Sequence, residues 1–318
     1  MKSESPTGHQ PPLVLSSAPH LKGRTSIERD MYIVTGALLL PFFGAVYFFG
    51  LYVLLMLVTA LITAVFSEYI CKMMRKKVFR MDGSAVVTAI LFTLTLPPRT
   101  PLWIVAVGAF FAIAIGKEVF GGLGQNIFNP ALAGRAVVGV SFPVHFTEYI
   151  APTAPWLVDG VTTATPLAVG AAPYWNLFIG NVAGSLGETS ALLILIGGII
   201  LIATGLIKWQ VPLFFIGSVA LLSLLLGQDP LFHILAGGLM LGAFFMATDY
   251  VTTPLTTKGK IIFAIGAGIL VVLIRLFAHM PEGVAYAILL MNAVTPLIDR
   301  YIRPRPYGYQ GRKMGAIR

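Results

Sequence analysis

"MYIVTGALLLPFFGAVYFFGLYVLLML", residues 31–57, carries no charged side chain over more than one bilayer crossing, since about 20 apolar residues at 1.5 Å each cover roughly 30 Å of hydrocarbon. Residues 191–207 form a second such run. No single soluble core in a chain of 318 residues hides several of them. Only 11% of residues are charged and 57% are hydrophobic, whereas soluble domains average about 25% charged. The chain therefore reads as an integral membrane protein with the lipid bilayer as its solvent.

Apolar runs bounded by charge or by Pro and Gly give ten candidate spans: 31–50, 51–70, 83–96, 102–115, 131–146, 191–207, 211–226, 231–247, 261–278 and 284–297. Several are too short for a full crossing, the third most clearly. Residues 1–20 contain His9, Pro11, Pro12 and Pro19 and lack the basic start and apolar run of a signal peptide. Segment 1–30 is accordingly expected in the cytoplasm. With that start, every Lys and Arg except Arg99, Arg135 and Arg275 falls on the inner side, including the cluster Lys72, Arg75, Lys76, Lys77 and Arg80 and the basic tail 301–318. Changing the span count by one ahead of that cluster would scatter the charges. Residues 147–190 then lie outside; they hold Glu148, Asp159 and Glu188 but no Lys or Arg.

Other classes lose support. Cys71 is the one cysteine, and the five histidines have no ligand spacing, so no metal site is expected. The net charge of +9 follows membrane orientation and does not imply nucleic acid. "GGLGQN" follows a helix, so it lacks the strand–turn–helix setting of a dinucleotide site.

Segments 31–146 and 191–300 each hold five spans and share landmarks. "LTLPPRTP" (94–101) corresponds to "ATDYVTTPLTT" (247–257), and "NPALAGR" (129–135) to "NAVTPLIDR" (292–300). Because five is odd, the second copy enters the membrane inverted. Such repeats place binding sites near the midplane on short or interrupted helices, here 83–96 and 231–247. The expected architecture is an all-α integral membrane fold of ten transmembrane helices in two inverted five-helix repeats, which resembles the urea transporters. "GGLGQNIFNP" (121–130) cannot be regular helix. It reads either as a cytoplasmic turn or as irregular backbone covered by protein.

Arg135 sits four residues into an apolar span, which costs a few kcal/mol unless it is paired or reaches an interface. It reads either as snorkelling to the inner boundary or as a guanidinium holding an anion. Arg275 reads as snorkelling at the outer end of 261–278. Asp82 and Asp249, at corresponding ends of two spans, read as caps, ion-pair members or groups on an ion route. For Asp82 capping or pairing is favoured, because Gly83 and Ser84 follow directly. Asp82, Thr95 and Asp249 are the ion-path candidates; with Thr88, Thr93 and Thr248 they suit Na+ or H+ equally.

The outer stretch "DGVTTATPLAVG" (159–170) presents the hydroxyls of Thr162, Thr163 and Thr165. Thr165 precedes Pro166 and is expected in extended geometry, exposed on a turn. On these residues alone an ordinary extracellular turn would suffice. However, "D-x-x-T-T-A-T-P-L" is similar to the flavin-attachment motif Ser/Thr-x-Ala-Thr of the NqrB/RnfD family of membrane flavoproteins, found in the Rnf complex and in the sodium-pumping NADH:quinone reductase. "DGSAVVTAILFTLTLPP" (82–98) and "GKEVFGGLGQNIFNPALAGR" (116–135) also resemble that family, so the likeness covers nearly the whole chain. Its length is nearer to the Rnf members.

The resemblance implies FMN joined to Thr165 through a phosphoester, within a motif that includes Gly160, Thr162, Thr163 and Ala164. Asp159 is either read by the flavin transferase or caps the turn. Thr163 stands where many members have glycine, which affects only the local turn. The transferase would act from FAD and magnesium at the outer face and so needs an accessible hydroxyl. Arg135, Arg99 or solvent would balance the phosphate. The implied partners are the A, B, C, E and G subunits of the Rnf complex, the last bearing a flavin, in a cytoplasmic-membrane assembly coupling ferredoxin and NAD to Na+ or H+ movement. A second, non-covalent flavin between the repeats is a further expectation. The competing readings are the quinone-reducing relative and a non-redox channel, which would not need the threonine motif.

Overall fold

The computed structural model describes residues 26–79, 81–147, 149–152, 162–188, 190–278 and 283–303. The first half contains α1 (Ile27–Phe49), α2 (Tyr52–Met74), α3 (Ser84–Leu94), α4 (Leu102–Ile113) and α5 (Pro130–Ser141). A connection between the two halves follows, with β1 (Tyr149–Ile150), β2 (Thr162–Thr163), α6 (Pro166–Val169) and α7 (Tyr174–Ile179). The second half contains α8 (Ala191–Ala203), α9 (Gln210–Leu225), α10 (Pro230–Leu235), α11 (Leu239–Leu241), α12 (Thr257–Phe277) and α13 (Val284–Tyr301). Helices α1, α2 and α12 are each long and apolar enough to cross a membrane. The chain is a helical, multi-pass membrane protein.

Helix α2 turns Val53, Met56, Ala60 and Ala64 inward and leaves Leu55, Ile62 and Phe66 exposed. Small residues inside and large ones outside is the pattern expected where lipid is as apolar as leucine and helices associate by close packing. At the α4–α5 contact, a Cβ on Gly134 would stand 2.6 Å from the Gly108 carbonyl oxygen. Only glycine allows that approach.

Local signals set the helix starts. Asn129 accepts from the N–H groups of Ala131 and Leu132, with Pro130 in the first turn of α5. Asp229 caps α10 in the same way, again followed by proline. Asn292, with its amide oriented to satisfy both of its polar atoms, accepts from Asn129 N–H at 3.1 Å.

Two details depart from the sequence reading, and one expectation is met. The fifth span is helical only to Ser141 and continues as a 3-10 turn, Pro143–Phe146. The eighth, one of the two expected to be short or interrupted, is indeed broken: α10 stops at Leu235, Gly237 and Gly238 take φ of 70° and 68°, and α11 leads into a π-helix, Gly242–Met246. The connection between the halves adds a two-stranded antiparallel ribbon to the all-α expectation, with Tyr149 paired to Thr163 and Ile150 to Thr162. Residues 121–129 are non-helical, as their glycines require.

Candidate functional site

The threonine motif is docked on the broken eighth span. Thr165 has φ −65° and ψ 154°, the extended geometry imposed by Pro166, and its carbonyl accepts from Ala168 N–H at 2.9 Å to start α6. The next turn presents Leu167, whose Cδ1 occupies the place a Cβ would take on Gly237. The left-handed φ of Gly237 and the missing side chain are therefore both used. Thr163 and Ala164 are exposed, Thr162 contributes to the ribbon, and Asp159 and Gly160 lie outside the described residues.

The expectation of an exposed acceptor is corrected here. Thr165 is only 5% exposed, and its hydroxyl is buried without a hydrogen-bond partner among the described residues. The cause is tertiary: α6 is too short to stand alone and lies down on the α10–α11 break.

Both snorkelling readings are also corrected. Arg275 is buried and donates to the carbonyls of His233 (2.7 Å), Ala236 (2.9 Å) and Gly237 (3.1 Å). These carbonyls are freed where the helix breaks, and in a bilayer only protein can satisfy them. Arg135 does not run to the inner boundary. Its guanidinium lies 4.8 Å from the centroid of Phe146, beyond the C-terminal end of α5 and away from the end where the chain enters it. It shares a small cavity with Thr95, Ser185, Glu188, Gly237 and Gly238.

Glu188 accepts from Ser185 Oγ at 3.1 Å, and burial pushes its carboxyl up against the opposing pull of Arg135. Burial likewise raises Tyr149, with Arg135 opposing. Since Tyr149 pairs with Thr163, Arg135 stands on the same side of the fold as the motif ribbon. Arg99 is exposed.

A larger cavity of about 520 Å³ opens beside α6, lined by Leu167, Ala168, Tyr174, Asp229, His233 and Arg275 among others. His233 is 7% exposed, and its Nδ1 has no partner among the described residues. Neither His233 nor Glu188 was singled out by its sequence context; one was a scattered histidine and the other a loop acid.

At the opposite end of the molecule the polar groups are tied to one another. Lys117, 2% exposed on the π-helix Ala114–Glu118, donates to Glu68 Oε1 (2.9 Å) and to Ser84 Oγ. Lys72 also pairs with Glu68, and Arg75 with Glu118. Asp82 Oδ1 accepts from the Ser84 N–H at 3.0 Å and from its hydroxyl. Burial works to raise the Asp82 carboxyl, but Lys117 and the Ser84 bonds outweigh it and hold it below the usual carboxylate range. This is the capping and pairing geometry favoured for Asp82. Glu68, a lone acid four residues before Lys72 at the end of an apolar run, was the overlooked signal.

Of the ion-path candidates, Asp249 lines a cavity together with Ser84 and Lys117, the partners of Asp82, while Thr95 stands apart. Asp249 accepts from Val251 N–H (3.2 Å) and Thr252 Oγ1 (3.4 Å), and burial raises its carboxyl. With Thr88 and Thr248 it lines an inner cavity of about 90 Å³. Thr95 lies instead in the Arg135 cavity, and Thr93 is buried against the Ala89 carbonyl.

The NQR2, RnfD, RnfE family matches residues 14–308 of this chain. The chain belongs to that family. It is similar to the D subunit of the Na(+)-translocating ferredoxin:NAD(+) oxidoreductase complex of Acetobacterium woodii, 47% identical over 308 residues, covering 93% of this chain and 95% of the relative. The D subunit of the proton-translocating ferredoxin:NAD(+) oxidoreductase complex of Clostridium ljungdahlii is 46% identical over 317 residues, covering 92% and 96%. The D subunit of the ion-translocating oxidoreductase complex of Stutzerimonas stutzeri is 40% identical over 333 residues, covering 91% and 94%.

In this member of the NQR2, RnfD, RnfE family the residues around Thr165 fit an esterified flavin. A buried hydroxyl lacking a partner costs roughly 1–3 kcal/mol, and esterifying Thr165 removes the O–H that has nothing to bond. A cavity within the usual ~300–1,000 Å³ range of small-molecule sites adjoins the same short helix. The inner cavity is well below that range.

Proposed function

We propose that this chain is the RnfD-type membrane component of an ion-translocating ferredoxin:NAD oxidoreductase complex, carrying FMN esterified to Thr165 and relaying electrons near the outer face of the cytoplasmic membrane. The observation that carries the reading is the Thr165 hydroxyl, buried inside T-T-A-T-P-L with no partner among the described residues and docked against the interrupted eighth span. Kinship with the D subunits of Na+- and proton-translocating complexes supports the assembly. Those two names differ in the ion, so the kinship leaves Na+ and H+ equal. The partners are the A, B, C, E and G subunits, with electron exchange directed to the flavin of the G subunit.

The arrangement proposed is ten spans in two inverted repeats, with both termini inside and residues 147–190 outside. Repeat-equivalent Asn129 and Asn292 are in contact, which supports it. Flavin attachment forms an Oγ–P bond at Thr165 as the pyrophosphate of FAD breaks; AMP leaves, and the hydroxyl proton passes to a base on the transferase. Because the hydroxyl is buried when α6 is docked, the transferase meets Thr165 with α6 lifted from Gly237.

Bound there, the flavin supplies the electron-transfer chemistry. The chain's own residues supply place and field. Arg135, beside Tyr149 and Glu188, provides positive potential for an ester phosphate in a loop that has no basic residue, while Glu188 prevents a bare buried cation in its absence. Arg275 holds the broken helix on which α6 rests. A second, non-covalent flavin between the repeats requires the inner cavity of about 90 Å³ to widen.

Intact mass of the protein co-expressed with a flavin transferase, with fragmentation to place the adduct, tests the reading. An FMN increment on Thr165 is expected; an unmodified Thr165 in the mature complex would sink it.

A further inference from the structure

We propose that the cavity beside α6 is the seat of the isoalloxazine ring, and that His233 is the side chain that hydrogen-bonds the ring within it. The proposal rests on the flavin reading of Thr165 and assigns the ring-binding residues that this reading leaves open.

The first argument is reach. Leu167 and Ala168 line the cavity, and the Thr165 carbonyl bonds to Ala168 N–H, so the acceptor lies within one helical turn of the cavity wall. A turn is about 5.4 Å, shorter than a five-carbon ribityl chain with its phosphate. The ring can therefore reach the cavity once α6 is lifted from Gly237, as attachment at the buried hydroxyl requires.

The second is shape and composition. At about 520 Å³ the cavity accommodates a planar tricyclic ring. Leu167, Ala172, Phe232 and Leu276 give it apolar walls, and a few polar groups converge on it.

The third is the state of those polar groups. The Asp229 carboxylate is fully engaged: it accepts from Leu231 N–H and Phe232 N–H and from the Tyr174 hydroxyl. The two terminal nitrogens of Arg275 are committed to backbone carbonyls. Two nitrogens on the lining residues, His233 Nδ1 and Arg275 Nε, are buried and have no partner among the described residues. Buried polar atoms without partners are uncommon in native folds, and a missing ligand is one of the few accounts of them. The pyrimidine edge of a flavin offers an N–H between two carbonyls. An imidazole nitrogen and a guanidinium N–H are the complementary set. The broad χ2 well of histidine lets the ring turn Nδ1 toward an occupant, with Phe232 packed edge-on against it at 5.7 Å between centroids.

The test uses the full-length chain co-expressed with a flavin transferase and purified in detergent. Its readouts are intact mass, the midpoint potential of the covalent flavin and its fluorescence anisotropy. His233→Leu keeps the FMN increment and shifts the midpoint potential, while His233→Asn, which retains a polar atom near Nδ1, restores part of the shift. Ala171→Trp, at an exposed position on the rim, keeps the increment and lowers the anisotropy by displacing the ring. Retention of the increment with both potential and anisotropy unchanged in His233→Leu and Ala171→Trp would overturn the proposal. An absent increment in the unsubstituted chain overturns the flavin reading instead, so the two failures are distinct.

Discussion

The two polar ends of this molecule treat buried charge differently. At the end that the proposed topology places inside, Glu68, Lys72, Lys117, Ser84 and Asp82 form a connected network, and Glu118 is held by Arg75. At the outer end the hydroxyl of Thr165, Nδ1 of His233 and Nε of Arg275 are buried with no partner among the described residues. Since leaving a buried polar group unmatched costs roughly 1–3 kcal/mol, the inner network has the character of a fastening. The outer group has the character of a site completed by something else. The networked end does carry two unmatched atoms among the described residues, Glu118 Oε1, on a carboxylate whose other oxygen is paired, and Gln210 Oε1 at the start of α9.

The largest effect should fall on the outer end. Thr165→Val abolishes the FMN mass increment altogether, whereas Thr163→Val retains it; a retained adduct on the first variant would remove the contrast between the two ends. Arg275→Ala comes next. Three carbonyls at the helix break lose their donor, at roughly 1–3 kcal/mol each, so a total loss of about 4 kcal/mol is expected in the unfolding of the detergent-solubilised protein.

Lys117→Met leaves the buried Glu68 carboxylate with Lys72 alone and should cost about 3 kcal/mol, because stranding one member of a buried pair is worse than removing both. The double change E68Q/K117M should therefore lose less than K117M. An equal or greater loss in the double variant would show that the network is not a closed pair system. Gly237→Ala forces a side chain into a left-handed backbone position at about 1–2 kcal/mol and displaces Leu167. Its signature is faster proteolysis near α6 with only a modest loss of stability.

The smallest effect concerns acid. Asp82 is held below the ordinary carboxylate range, so the stability it adds is present above its unfolded value near about 4 and lost as pH falls through the depressed folded value. Melting temperature measured across that acid window should drop for the native chain. The drop should be flatter for Asp82→Asn.

Much of the arrangement was legible in the sequence, and the reasons are local. Charge-free runs locate the helices, because hydrocarbon leaves the backbone no other partner. Pro166 sets the extended geometry of Thr165 through a clash with its own neighbour, and the run of glycines at 121–124 rules out a helix there. Asp82 is readable as a cap because its partner, Ser84, is two residues away.

What could not be read depends on distance along the chain. The burial of Thr165 requires α6 to meet Gly237, the capture of Arg275 requires the break in the eighth span, and the outward turn of Arg135 requires Phe146 and Glu188. A sequence states which side chains are costly to leave alone in a membrane. Only the packed structure decides which of them meet, because the groups that satisfy them lie on other helices, tens of residues away.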